Sequence, residues 1–192
     1  MPDADAEGTG QAMCSSNIRA GAAPRSAAGE GSERFKAAFR HHPAGVAVIT
    51  ADDGGGPVGL TATSVIPVSA EPAVLAFSLS AQSSTTPRLV SAETVVVHLL
   101  SAGQVEAARR FAASGIDRFA DSATWHRLPT GEPVLRGADV WLRAGIAQRV
   151  AVGGSTLVVA SVLEVRTGGG DRFPLVYQNR TWYTLPGSAA VG

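Results

Sequence analysis

Two hydroxyl-rich runs carry the chemistry that this chain can offer. The first is Gly59-Leu60-Thr61-Ala62-Thr63-Ser64, and the second is Ser83-Ser84-Thr85-Thr86-Pro87-Arg88. Small hydroxyl residues let a backbone approach a ligand closely and present both N–H and O–H donors. At the start of a helix, followed by an arginine, such a run suits a phosphate group. The same residues also suit a capped turn and a Thr-rich strand, and neither run is specific by itself.

Other chemistries lack their residues. There is no Walker A, C-x-x-C, H-E-x-x-H or G-x-S-x-G pattern. The four histidines give no metal-ligand spacing: His41 and His42 are adjacent, His98 lies in an apolar run, and His126 follows Trp125. No metal site and no catalytic acid, base or nucleophile is expected. Cys14, the one cysteine, sits in a polar segment and fits an inert thiol in a reducing cytoplasm.

The elements that must position the two runs follow from periodicity and punctuation. Ser32 is a candidate N-cap for a short helix with Phe35, Ala38 and Phe39 on one face, stopped by Pro43. Strands are expected over Gly45–Thr50 and Val58–Val65, joined by a Gly-rich turn at Asp52–Pro57, then over Ala73–Leu79 and Thr94–Leu100. A short helix is expected after the second hydroxyl run. Ser101 with Gln104 forms a capping box for a helix through Val105, Ala108 and Phe111. Strands over Trp141–Val150, Thr156–Val165, Pro174–Tyr177 and Thr181–Leu185 complete the series, with a turn at Gly168-Gly169-Gly170. Strands dominate and no βαβ alternation is present, so the expectation is a mainly β, antiparallel barrel with a few short helices across its openings. Residues 1–31 hold one branched aliphatic, Ile18, and are expected to be a disordered tail. Residues 32–185 then form one domain and 186–192 a flexible end.

Composition bounds the partners. The 192 residues carry 16 basic and 16 acidic side chains, a formal net charge of zero. Nucleic-acid binding and polybasic membrane contact need a basic excess that is missing. No apolar run approaches the roughly 20 residues that cross a bilayer, and the first residues lack a signal-type apolar segment.

Taken in order, these pieces resemble the flavin reductase-like family with the FMN-binding split-barrel fold. Phe39-Arg40-His41-His42-Pro43-Ala44-Gly45-Val46-Ala47-Val48-Ile49-Thr50 resembles its opening helix and strand. Gly59 to Ser64 resembles its flavin strand, Val68-Ser69-Ala70-Glu71-Pro72 the loop after that strand, and Ser83 to Arg88 its phosphate loop. Phe111 with Asp117-Arg118-Phe119, then Gly131-Glu132-Pro133-Val134-Leu135, resembles the mid-chain signature, and Pro174-Leu175-Val176-Tyr177 with Trp182-Tyr183 the last hairpin. The resemblance implies a Greek-key split barrel that forms a homodimer and binds FMN or FAD, with NADH or NADPH as co-substrate. It implies Thr61, Ala62, Thr63 and Ser64 along the isoalloxazine, Ser83, Ser84, Thr85 and Arg88 at the phosphate, and Phe119 among the flavin contacts. The implied function is an NAD(P)H-dependent flavin reductase, its reduced flavin diffusing to a partner monooxygenase.

Two positions depart from the family pattern. Many members carry Gly-Asp-His before the strand near Thr156, where this chain has Gly153-Gly154-Ser155. Ser155 thus stands where the family's nicotinamide-contacting His is expected. A flavin-binding protein with weak or no nicotinamide turnover is the alternative reading. Second, His98 occupies a strand position where relatives often have Asn, either tuning the flavin environment or packing in the core.

Overall fold

The computed structural model describes residues 25–169 and 173–185. The expectations for the 1–24 part of the tail, for Cys14, for Gly170 of the glycine turn and for residues 186–192 lie outside those residues. Helix α1 runs Arg25–Arg40, so it starts seven residues before the Ser32 cap that the sequence suggests, and residues 25–31 are helical. The Ser26-Ala27-Ala28 stretch favours helix enough to carry it through Gly29 and Gly31.

The main sheet has seven antiparallel strands in the order β3-β2-β6-β9-β10-β5-β4. These are β2 (Ala47–Asp52), β3 (Pro57–Ala62), β4 (Ile66–Ala70), β5 (Ala73–Ser80), β6 (Thr94–Leu99), β9 (Val140–Val152) and β10 (Ser155–Thr167). The Gly-rich turn joins β2 to β3, as the punctuation predicts, with the Asp52 carboxylate accepting from the N–H groups of Gly54 and Gly56. The short strands β1 (Ala44–Gly45), β11 (Leu175–Gln178) and β12 (Thr181–Thr184) form a second sheet, and β7 (Trp125–Arg127) pairs with β8 (Pro133–Leu135). Helix α2 spans Thr86–Ser91 and α3 spans Val105–Ala112. The Ser101 N–H donates to Gln104 Oε1 at 3.0 Å, so the capping box forms as spaced.

Closure of the sheet into a full hydrogen-bonded ring is corrected. Among the described residues β3 and β4 share no ladder, and the barrel is split between them. Pro67 within β4 cannot donate to a neighbour, and a register shift falls between Pro67 and Ser69. Both features blunt an edge. One side chain still ties the segment down at the split: Ser64 Oγ accepts from Ser78 N at 3.0 Å and donates to Ser78 O at 3.1 Å. Strand β4 falls partly in the stretch expected to be a loop, because all five of its residues are exposed and give no buried pattern.

Two apolar clusters hold the sheet and α3 in place. Ile49, Phe77, Leu79, Leu89, Val95, Val97 and Val158 fill the inside of the main sheet. Val48, Leu100, Ala108, Phe111, Phe119 and Leu175 pack α3 and the last hairpin onto it. Gly59 of β3 marks the tightest seam. A Cβ there would stand 2.7 Å from Phe111 Cε1 and 2.9 Å from Ile49 O, so only glycine lets α3 lie this close.

His98 belongs to this core. It is fully buried; its Nδ1 donates to Val48 O at 3.0 Å and its Nε2 accepts from Leu135 N at 3.1 Å. The ring is a neutral crosspiece joining three strands. Burial pushes its pKa down to about 4 from 6.5. The protonated ring is therefore favoured in the unfolded chain, and stability present above pH 6.5 is lost as pH falls toward 4, by roughly 3 kcal/mol. Glu132 acts in a lower window. Burial raises its pKa, but hydrogen bonds from Thr130, Thr94 and Arg143 outweigh that and hold it at about 2, so its contribution is lost only below pH 4.5. Denaturant unfolding at pH 7 and pH 4.5 is expected to show a loss of about 2–3 kcal/mol for the native chain. His98→Gln should be less stable at pH 7 but lack that slope; an equal slope in the variant would assign the titration to another group.

Candidate functional site

A cavity of ≈ 600 Å³ opens beside the split in the barrel. The end of β3 and the residues after it supply Thr61, Ala62, Thr63 and Ser64. The loop from β5 to α2 supplies Ser80, Gln82, Ser83 and Ser84. Phe111, Ala112, Ser114 and Arg118 come from the end of α3 and the turn beyond it, and Ser155 from the start of β10. Both hydroxyl runs thus meet at one cavity. Among the described residues no carboxylate, imidazole or thiol lines it.

Each piece is placed by a local rule. Ser155 reaches the cavity because it pairs with Ser80 across the β5–β10 ladder. The two-residue turn Gly153-Gly154, with Gly153 at φ 54°, reverses the chain just before it. Gly154 O then accepts from Ala81 N at 2.9 Å, which fixes the hydroxyl loop against that turn. Within the loop, Ser83 O accepts from Thr86 N at 3.1 Å, and Thr86 Oγ1 donates to Ser80 O at 2.7 Å. Thr61 Oγ1 donates to Ala108 O at 2.7 Å, locking β3 to α3. The hydroxyls of Thr63, Ser84, Ser114 and Ser155 make no hydrogen bond to other described residues and remain available to a ligand.

The cation at the cavity is Arg118, not Arg88. Arg118 donates from Nε to Ala113 O at 3.2 Å and from Nη2 to the same oxygen at 2.6 Å. Its Nη1 donates to Gly59 O at 3.2 Å and to Thr85 Oγ1 at 2.7 Å. All four bonds go to neutral oxygens. The neighbouring Asp117 carboxylate is turned away, accepting from Phe119 N at 2.9 Å. Burial lowers the Arg118 pKa, yet a guanidinium stays charged at neutral pH. The result is a half-buried positive charge without an ion-pair partner among the described residues, facing a cavity lined by hydroxyls.

Three of the residues named from the sequence stand elsewhere. Arg88 lies at the β2–β3 turn, its Nε 3.1 and 3.2 Å from the two Asp53 carboxylate oxygens, with Nη2 bonded to Asp53 and, at 2.7 Å, to Gly56 O. That contact holds the Asp53 pKa down to about 2. Thr85 is buried behind the cavity wall, where it accepts from Arg118. Phe119 is a core ring packed edge-on between Phe111, centroids 5.1 Å apart, and Trp125, 5.2 Å apart. It supports the ring that lines the cavity without lining it. Sequence reasoning misses Ser78, Ser80, Gln82, Ser114 and Arg118; for Arg118 the available signal is its place between a turn-forming Asp and an aromatic.

Comparison with known proteins gives this geometry a family. The model of the flavin reductase like domain matches residues 39–186. An NADH:FMN oxidoreductase of Rhodococcus erythropolis is 45% identical over 152 residues, covering 78% of this chain and 79% of that protein. The crystal structure of a flavin reductase domain protein from Arthrobacter sp. FB24 superposes with a TM-score of 0.76 at 34% identity, covering 81% of this chain and 96% of the other. An NADH:FAD oxidoreductase of Streptomyces globisporus, solved in complex with NAD and FAD fragments, gives a TM-score of 0.75 at 27% identity, covering 84% and 96%. This chain belongs to the flavin reductase-like family.

Proposed function

We propose that the chain is an NAD(P)H-dependent flavin reductase that binds FMN or FAD in the ≈ 600 Å³ cavity and releases reduced flavin to a partner monooxygenase. The observation that carries this reading is the Arg118 guanidinium, half-buried and bonded only to neutral oxygens, at the wall of a cavity with free hydroxyls and no acid among its described residues. A phosphate is the anion such a donor set suits. The similarity to oxidoreductases of NADH and FMN favours that pair among the alternatives.

The cavity residues fit a flavin. Ser83, Ser84 and Arg118 would take the phosphate, with Thr85 orienting the guanidinium. Thr61 to Ser64 would border the ring, and Ser155 would face the nicotinamide. The bound flavin supplies the two-electron acceptor that no side chain here provides. The protein's own work is to bind, to hold two rings in register and to exclude water, which needs no acid or base.

A homodimer is part of the proposal. Leu157, Leu163 and Val165 are exposed along β10, and Val68 along β4. That apolar face is suited to a second copy of the chain. No helix among the described residues is long and apolar enough to cross a membrane, and we place the protein in the cytoplasm.

Three measurements test the reading. The purified chain with FMN and NADH or NADPH is expected to consume the nicotinamide well above the rate with free flavin; no turnover with either nucleotide would contradict the reductase function. Arg118→Met should weaken FMN binding about 10- to 100-fold while leaving riboflavin, which lacks the phosphate, nearly unaffected. Equal losses for both would place the phosphate elsewhere. Flavin binding without nicotinamide turnover would favour the alternative reading that rests on Gly153-Gly154-Ser155. In that case Gly154→Asp with Ser155→His should raise turnover, and unchanged kinetics would clear those two positions.

A further inference from the structure

The start of α2 carries two arginine contacts. At one, Thr85 Oγ1 accepts from Arg118 Nη1 at 2.7 Å, a bond that helps to fix the cavity guanidinium. At the other, Arg88 reaches the turn between β2 and β3. Its Nε lies 3.1 and 3.2 Å from the two Asp53 carboxylate oxygens, and its Nη2 donates to Asp53 and, at 2.7 Å, to Gly56 O. Ser91 Oγ adds a longer bond to the same carboxylate at 3.4 Å. Leu89 N donates to Thr85 O at 3.1 Å, so one helical turn links the two contacts. A continuous set of bonds thus runs from Asp53 through Arg88 and α2 to Thr85 and Arg118.

The rest of α2 is held independently of that pair. Leu89 is fully buried in the core. Arg149 donates from Nε to Val90 O at 2.6 Å and from Nη2 to Ala92 O at 2.7 Å, which secures the far end. The helix therefore keeps its anchors without Asp53 and Arg88, and an ion pair near the surface adds little to stability. What the pair adds is direction. A guanidinium that meets both oxygens of a carboxylate is fixed in orientation as well as in distance. Here it pins a six-residue helix to the β2–β3 turn, and Thr85 is the residue that caps that helix. Coupling of this kind travels through bonded side chains and short rigid elements.

We propose that Asp53 and Arg88 are a positioning pair that sets the angle at which α2 starts, holds Thr85 on Arg118, and so gives the site its preference for a phosphorylated flavin over riboflavin. Neither residue touches the ligand. This rests on Arg118 being the cation that meets the phosphate. It also separates Arg88 from a direct phosphate ligand by the sign of one effect. A phosphate ligand restrained by Asp53 would bind FMN more tightly once that carboxylate is neutralised. A positioning pair broken in the same way would bind it less tightly.

The test is fluorescence titration of the purified chain with FMN and with riboflavin. Asp53→Asn and Arg88→Gln are each expected to weaken FMN binding about tenfold and riboflavin binding by less than about twofold, with the unfolding midpoint nearly unchanged. Arg88→Lys should keep part of the affinity, because it retains the charge without the two-point contact. In an Arg118→Met background, Asp53→Asn should cost nothing further, since the pair acts through Arg118. Tighter FMN binding in Asp53→Asn overturns the proposal and makes Arg88 a phosphate ligand. Equal losses for both flavins, or losses that add to that of Arg118→Met, overturn it as well. Unchanged FMN affinity in both single variants removes the pair's role while leaving Arg118 as the phosphate's cation. A native chain that binds FMN no more tightly than riboflavin overturns the phosphate reading itself, and this inference with it.

Discussion

The site depends on one guanidinium being left without a carboxylate. Arg118 joins three elements: the end of α3 through Ala113 O, strand β3 through Gly59 O, and the cap of α2 through Thr85 Oγ1. Each acceptor is neutral, so the bonds fix the side chain without cancelling its charge. Three other arginines differ. Arg88 is neutralised by Asp53, Arg127 by Asp52 and Arg143 by Glu132. In a chain of zero net charge no overall field draws in an anion, so recognition must be local. Arg118 supplies that local charge at the cavity where both hydroxyl runs meet.

Backbone packing keeps the cavity open at that point. Gly59 lets Phe111 come to within a distance that any side chain would forbid, and Phe119, itself packed on Trp125, braces the Phe111 ring. Ser64 ties down the segment after β3 at the split without making a ladder, so Thr63 beside it borders a cleft instead of a partner strand. The Ala81–Gly154 bond then couples the hydroxyl loop to the turn before Ser155. The barrel being split, not closed, is what gives a ligand access to these groups.

Local signals are legible in the sequence and long-range pairings are not. The Ser101–Gln104 capping box, the Gly-rich turn after β2 and the convergence of both hydroxyl runs follow from spacing and from resemblance to the family. The role of Arg88 does not, because Asp53, 35 positions away in the chain, captures it across a fold that spacing does not reveal. Arg118 escapes notice for the same reason: Asp117 beside it looks like a partner, but its carboxylate closes a turn. His98 admits two readings from sequence, and its ring nitrogens decide between them by bridging Val48 and Leu135. The exposed β4 carries no buried periodicity, and the start of α1 holds two glycines that weaken its helical signal, so neither boundary is readable.

The central claim is that one cavity holds a flavin by its phosphate through Arg118 and the hydroxyl loop. A crystal structure of the chain with FMN tests it most directly. The account predicts the phosphate within hydrogen-bond distance of Arg118 and of Ser83 or Ser84, with the ring along Thr61 to Ser64. A phosphate seated at Arg88, or a ring bound away from Thr61 to Ser64, would contradict it.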